Sequence, residues 1–204
     1  QGSRLVQLRL RAGDASYRPE ELDALNVASP LVVPPARLRD GLVACHVDTE
    51  GTGGGPVAYR ARKHAGLVDV DAPAAHPAAA FWERIEPRPG GGLVLDPDDF
   101  YILASKERVV VPPDTAAEMV AYDTLVGEFR VHYAGFFDPG FGWQAGTRAV
   151  LEVRSHEVPF LLDDGQLVGH LRYVRLGARP RQIYGEGLGS HYARQDLTLS
   201  KHFA

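Results

Sequence analysis

Glycine and proline interrupt this chain so often that long helices have little room to run. It holds 22 glycines and 15 prolines in 204 residues. The intervals between them carry short β-like runs at residues 42–47, 67–70, 100–104, 108–111 and 129–133. Many short strands divided by turn signals predict an all-β sandwich, jelly roll or barrel. Helical spacing is scarce, with short helices expected only at residues 19–25 and 116–122. Residues 50–56 (EGTGGGP) read as a hairpin tip or mobile loop. The Ala- and Pro-rich residues 71–80 read as a connection, after which 81–85 restart a strand.

Composition narrows the function. Net charge is −4 with no basic stripe, which argues against duplex nucleic acid as a partner. No run of 18 apolar residues is present for a membrane span, and residues 1–30 carry no signal-peptide pattern. The single cysteine, Cys45, excludes an internal disulfide and fits a reducing, cytoplasmic compartment. It also excludes the zinc deaminase signature, which needs a Cys-x-x-Cys pair.

Residues 130–173 carry the most chemistry. An Asp138-Pro139-Gly140 turn precedes an apolar strand with an acid inside it, Ala149-Val150-Leu151-Glu152-Val153. Residues 158–162 form a short apolar run, and an Asp-Gly turn then feeds an alternating strand over 166–173. An acid in such a strand is costly to bury unless partnered, so Glu152 is the first candidate. Taken by itself it reads equally as a strand glutamate paired with Arg148 or Arg154. Asp138 reads equally as a turn cap accepting backbone N–H groups.

These motifs, in this order, resemble the dCTP deaminase branch of the dUTPase-like superfamily. The matching segments are Asp138-Pro139-Gly140-Phe141, Leu151-Glu152, Val158-Pro159 and Gly165-Gln166-Leu167-Val168-Gly169-His170-Leu171. Upstream, residues 95–104 and 109–117 match the preceding strand pair. The resemblance covers residues 93–204 closely. Residues 14–92 match more loosely, to the second unit of a tandem bacterial type. Gly2 to Leu10 (GSRLVQLRL) echoes Gly165 to Tyr173 (GQLVGHLRY). Residues 1–13 are therefore expected to be the tail of an upstream unit, and 14–204 a dUTPase-like domain with a C-terminal lid over about 181–204.

The resemblance implies a distorted jelly roll that hydrolyses dCTP to dUTP and ammonia, feeding thymidylate synthesis. Glu152 would take a proton from the attacking water and return protons to the leaving ammonia, both within the reach of carboxyl chemistry. Asp138 would help to orient the water or the sugar. Ala134, Arg148, Tyr184, His191, Tyr192, Arg194 and Gln195 would bind nucleotide. Mg²⁺ would accompany the triphosphate, and no zinc would be used. A homotrimer or pseudo-hexamer is implied, with sites between units and no nucleic-acid or membrane partner.

Three departures bear on that expectation. Asp138 and Glu152 are further apart than is usual in the family, with residues 142–147 (GWQAGT) as extra loop. His191 replaces a lysine of the phosphate-binding arm, so its charge there depends on pH. The family's Ser-Ser-x-x-Arg segment is absent from residues 120–126, which suggests that a neighbouring unit supplies it. Two alternatives stay open: a dUTP diphosphatase using Asp138, and a non-catalytic half that completes another unit's site.

Weaker candidates have plainer explanations. Residues 60–64 (RARKH) read as a solvated strand face. Phe136, Phe137, Phe141 and Trp143 read as packing. His132 and His156 lack a metal-ligand pattern. Ser105, Ser155 and Ser200 lack a nucleophile's setting.

Overall fold

The computed structural model describes residues 13–120, 129–131, 135–155, 157–186 and 196–204. Its elements, in chain order, are α1 (Pro19–Ala28), β1 (Val32–Val33), β2 (Val43–His46), β3 (Ala58–Ala61), α2 (Ala78–Phe81), β4 (Trp82–Ile85), β5 (Leu93–Leu95), β6 (Phe100–Val109), β7 (Thr115–Val120), β8 (Phe129–Val131), β9 (Phe136–Phe137), β10 (Thr147–Ser155), β11 (Phe160–Leu162) and β12 (Leu167–Arg175). The fold is mostly β, as the punctuated sequence predicts.

The strands form two main sheets and a ribbon. One sheet runs β4-β3-β6-β10-β8, with β1 also on β6; the second runs β2-β12-β7-β9; β11 and β5 pair alone. Every strand pairing between these elements is antiparallel. Alternation decides what lies between the sheets. Leu151 and Val153 on β10, Tyr101 and Leu103 on β6, Val43 and Cys45 on β2, and Leu171 and Tyr173 on β12 share one buried cluster. Tyr173 also donates its hydroxyl to the Val110 carbonyl at 2.7 Å, so its polar tip is satisfied inside that core.

The helix at residues 19–25 is present and extends to Ala28. Pro19 occupies its first position, and the Glu21 carboxylate accepts the Arg18 amide at 2.9 Å. The helix expected at 116–122 is instead β7, and residues 121 and 122 lie outside the described residues. Alanine, glutamate and methionine favour helices locally. Here Ala116 and Ala117 are fully buried, and all six residues of β7 pair with β12, so tertiary context prevails. The run expected at 100–104 and the first two residues of that at 108–111 are one long strand, β6, and 67–70 forms no strand.

The extra loop before β10 closes tightly. The Gly146 amide reaches the Gly142 carbonyl at 2.7 Å, and Gly142 has φ +62°. A Cβ there would drive into the Val109 carbonyl oxygen. Gly142→Ala is therefore expected to cost about 2 kcal/mol, read as a lower urea midpoint with an unchanged slope.

Candidate functional site

Glu152 lies mid-strand on β10, directly opposite Ile102 of β6, and is half-buried. Its alternate neighbours Leu151 and Val153 point into the core between the sheets, which turns Glu152 to the outer face with Val150 and Arg154. That face is not bare. Ile102 and Ala104 form a second apolar cluster there with Leu197 and Leu199, and Val150, Tyr59, Trp82 and Phe203 pack against it. Residues 197–203 thus cover much of the sheet face that carries the candidate catalytic acid.

Those last residues are held by pairing. Ala74, His76 and Ala78 donate their amides to Lys201, His202 and Ala204, and Ala204 donates back to His76 at 2.9 Å. The Phe203 ring sits 5.4 Å from Phe81 and 5.9 Å from Trp82, edge-on to the latter. His202 is buried, with its two ring nitrogens at Ser200 Oγ and the Val70 carbonyl. The connection at 71–80 is thus the docking strip for the C-terminus. Phe203→Ala is expected to speed amide exchange at His76, Ala78 and Ala204 by at least tenfold, while the β12 amides keep their protection.

Beyond Glu152, the register of β6 and β10 shifts: Val150 faces Ala104, but Arg148 faces Arg108. The slack residues 105–107 form an irregular bulge, a feature that re-aims side chains. Ser105 fills the gap in the ladder, its hydroxyl accepting the Ala149 amide at 2.9 Å and donating to the Glu107 carbonyl at 2.7 Å. Glu107 turns towards the second sheet and accepts from the His46 amide at 2.8 Å, with the His46 ring at 2.5 Å. Lys106 pairs with Asp164, which in turn accepts the Thr49 amide at 2.9 Å.

Arg148 is only 6% exposed. Its guanidinium donates to the Ser105 carbonyl at 2.7 Å and pairs with Asp48. Asp48 is buried, and accepts from the Gly51 amide at 3.0 Å, the Thr52 amide at 2.9 Å and the Thr52 hydroxyl at 2.7 Å. Burial alone would push the Asp48 carboxyl up. The Thr52 and Arg148 hydrogen bonds outweigh it and hold the carboxyl below the usual aspartate range. The start of the segment at 50–56, expected as a hairpin tip or mobile loop, is therefore pinned by one carboxylate. Arg148 pairs with Asp48 rather than with Glu152, and the contacts described for it belong to the scaffold.

Asp138 belongs to a different neighbourhood. Its turn is fastened to the chain after β6, with the Gly140 amide on the Val111 carbonyl at 3.0 Å and the Val111 amide on the Phe141 carbonyl at 2.8 Å. Tyr184 joins it: its amide donates to the Pro139 carbonyl at 2.7 Å, and its ring lies 5.7 Å from Phe141. A hollow of about 120 Å³ opens there between Trp143 and Tyr184. Glu152 is five strand residues beyond Thr147, about 17 Å further along β10. The structure unites the Asp138 turn with Tyr184. Ala134, His191, Tyr192, Arg194 and Gln195, with His132 and His156, lie outside the described residues.

The weaker candidates resolve into structural roles. Arg60 pairs with Glu83 and Asp96, and Lys63 with Asp99 at 2.9 Å. The Ser155 hydroxyl donates to the Val158 carbonyl. Phe137 and Phe141 stack edge-on at 5.0 Å in the core. Sequence reasoning missed Asp48, although an Asp followed by Gly51 and Thr52 is the pattern of a side-chain-capped turn.

Residues 18–203 match the family described as the C-terminal domain of 2'-deoxycytidine 5'-triphosphate deaminase. The crystal structure of a 2'-deoxycytidine 5'-triphosphate deaminase from Agrobacterium tumefaciens superposes with a TM-score of 0.75 at 51% identity, covering 82% of this chain and 50% of that one. A "dCTP deaminase, dUMP-forming" of Halobacterium salinarum is 34% identical over 111 residues, 52% of this chain and 54% of its own length. A protein of the same description from Clavibacter michiganensis is 32% identical over 105 residues, 50% of this chain and 51% of its own. The chain thus spans about half the length of the relatives it matches.

Proposed function

The chain belongs to the family of dCTP deaminase C-terminal domains, and on that premise we propose that it takes part in hydrolytic deamination of dCTP, with Glu152 as general base and acid. The observation that carries this reading is the placement of Glu152. It stands mid-strand and half-buried on the outer sheet face, on the Leu-Glu motif that carries the resemblance. Glu152 takes a proton from water as the oxygen attacks C4 of the cytosine. It then delivers protons to the departing nitrogen. One water is consumed, ammonia leaves, and the ring becomes uracil.

The absence of the Ser/Arg element from residues 120–126 supports a site shared between units. One unit contributes Glu152, while a neighbour in a trimeric or pseudo-hexameric assembly contributes the missing Ser/Arg element. Ala134, His191, Tyr192, Arg194 and Gln195 remain the proposed nucleotide contacts. Mg²⁺ would travel with the phosphates. The described residues gather no group of three or more His, Cys, Asp or Glu side chains placed to hold a metal. No described helix is long and apolar enough to cross a membrane.

The product distinguishes two versions. The sequence reading gives dUTP and ammonia. The relatives are described as dUMP-forming, which favours a second step releasing pyrophosphate from the same bound nucleotide. Incubation of the longest native chain carrying this domain with Mg²⁺ and dCTP, resolved by chromatography, separates them. Accumulating dUTP supports deamination alone, and dUMP with pyrophosphate supports both steps. Unchanged dCTP overturns the proposal.

A further inference from the structure

Opposite one another on β6 and β10 stand two arginines, Arg108 and Arg148. Like charges directly across a ladder repel, and Lys106 lies two residues away on the same strand. The fold neutralises two of these three cations internally: Arg148 by the buried Asp48, and Lys106 by Asp164. Arg108 is treated differently. Its partner is Asp196, at 3.3 Å, and the two side chains are 40% and 50% exposed. An ion pair so open to water contributes little to stability and exchanges easily.

The surroundings of that pair are shaped for close approach. A Cβ on Gly53 would lie 2.6 Å from a terminal nitrogen of Arg148 and 3.3 Å from the Asp196 carboxyl carbon. A glycine backbone, a buried guanidinium, an exposed guanidinium and one carboxylate thus converge on a single spot. Arg148 and Glu152 share a face of β10, four residues apart, or about 13 Å. That is the scale of an extended nucleoside triphosphate.

We propose that Arg108 binds the phosphates of the substrate, and that Asp196 is an internal carboxylate holding its guanidinium until a phosphate displaces it. This rests on the deaminase reading for the identity of the substrate. A polyphosphate carries more charge than one carboxylate and offers guanidinium a geometry suited to bidentate contact, so displacement favours the ligand. Arg108 would supply a cation that residues 120–126 lack.

The two partners should respond in opposite directions. Inorganic tripolyphosphate is titrated into the wild type, Arg108→Gln and Asp196→Asn by calorimetry, beside steady-state kinetics with dCTP. Arg108→Gln is expected to weaken tripolyphosphate binding about tenfold and to raise the dCTP KM with kcat nearly unchanged. Asp196→Asn is expected to tighten binding about threefold by removing the competitor. If both substitutions weaken binding, the pair is a structural clasp and the proposal falls. It falls equally if neither has an effect. If tripolyphosphate responds as expected but dCTP is not consumed, the deaminase reading fails while the Arg108 site stands. If dCTP is consumed and Arg108→Gln changes nothing, the reverse holds.

Discussion

Glu152→Gln should lower the rate of dCTP deamination by a factor on the order of 10³, within the range contributed by a positioned general acid–base. The amide keeps the size and shape of the carboxyl group but neither accepts the water's proton nor returns one to nitrogen. KM for dCTP should change little, because Glu152 acts on the water and the leaving group rather than on the phosphates. The fold should persist, since the core-facing residues of β10 are Leu151 and Val153, not Glu152. Single-turnover kinetics with a parallel melting curve decides the matter. A variant that melts normally and deaminates at the wild-type rate would make this domain a structural partner and place the reacting carboxylate elsewhere.

The second large effect concerns stability. Arg148→Ala is expected to cost about 3–5 kcal/mol at pH 7, the penalty of leaving a buried charge without its partner. The pH dependence follows from the depressed Asp48 carboxyl. In the wild type this group's contribution is complete at neutral pH and is lost only as acidity passes below the ordinary aspartate range. In the variant, burial is opposed only by the Thr52 and Gly51 hydrogen bonds, so the Asp48 carboxyl lies higher than in the wild type. Protonation then relieves the stranded charge as pH falls. The gap between wild type and variant should therefore narrow between neutral pH and about pH 4. Urea titrations at several pH values test this, and a gap that widens in acid would refute it. The paired change Asp48→Asn with Arg148→Met should recover part of the loss, because neither partner is then left charged and alone.

What the sequence revealed follows from the range over which each interaction acts. Strands β10 and β12 were legible because alternation is a local signal, and α1 because proline and glutamate mark its first turn. Glu152 stood out as an acid in an apolar strand. The misread strand β7 shows the limit of local preference: Ala116, Ala117 and Met119 are helix formers that only the pairing with β12 recruits to a sheet. Asp48 and Arg148 lie 100 positions apart, and nothing near either residue announces the other. The docking strip at 71–80 was equally silent. Its alanines and prolines have no periodicity, and its order comes from backbone pairing with residues 201–204.

The docked C-terminus also bears on the order in which the molecule is made. Leu197 follows Glu152 by 45 positions, yet it and Leu199 close over Ile102, Ala104 and Val150. During synthesis the strands of that sheet emerge well before their cover does. Until residues 197–203 leave the ribosome, the apolar part of this face and the aromatic ring of Trp82 are open to other nascent chains. Such transient exposure favours aggregation, so the yield of folded protein should depend on how promptly residues 197–203 reach the sheet.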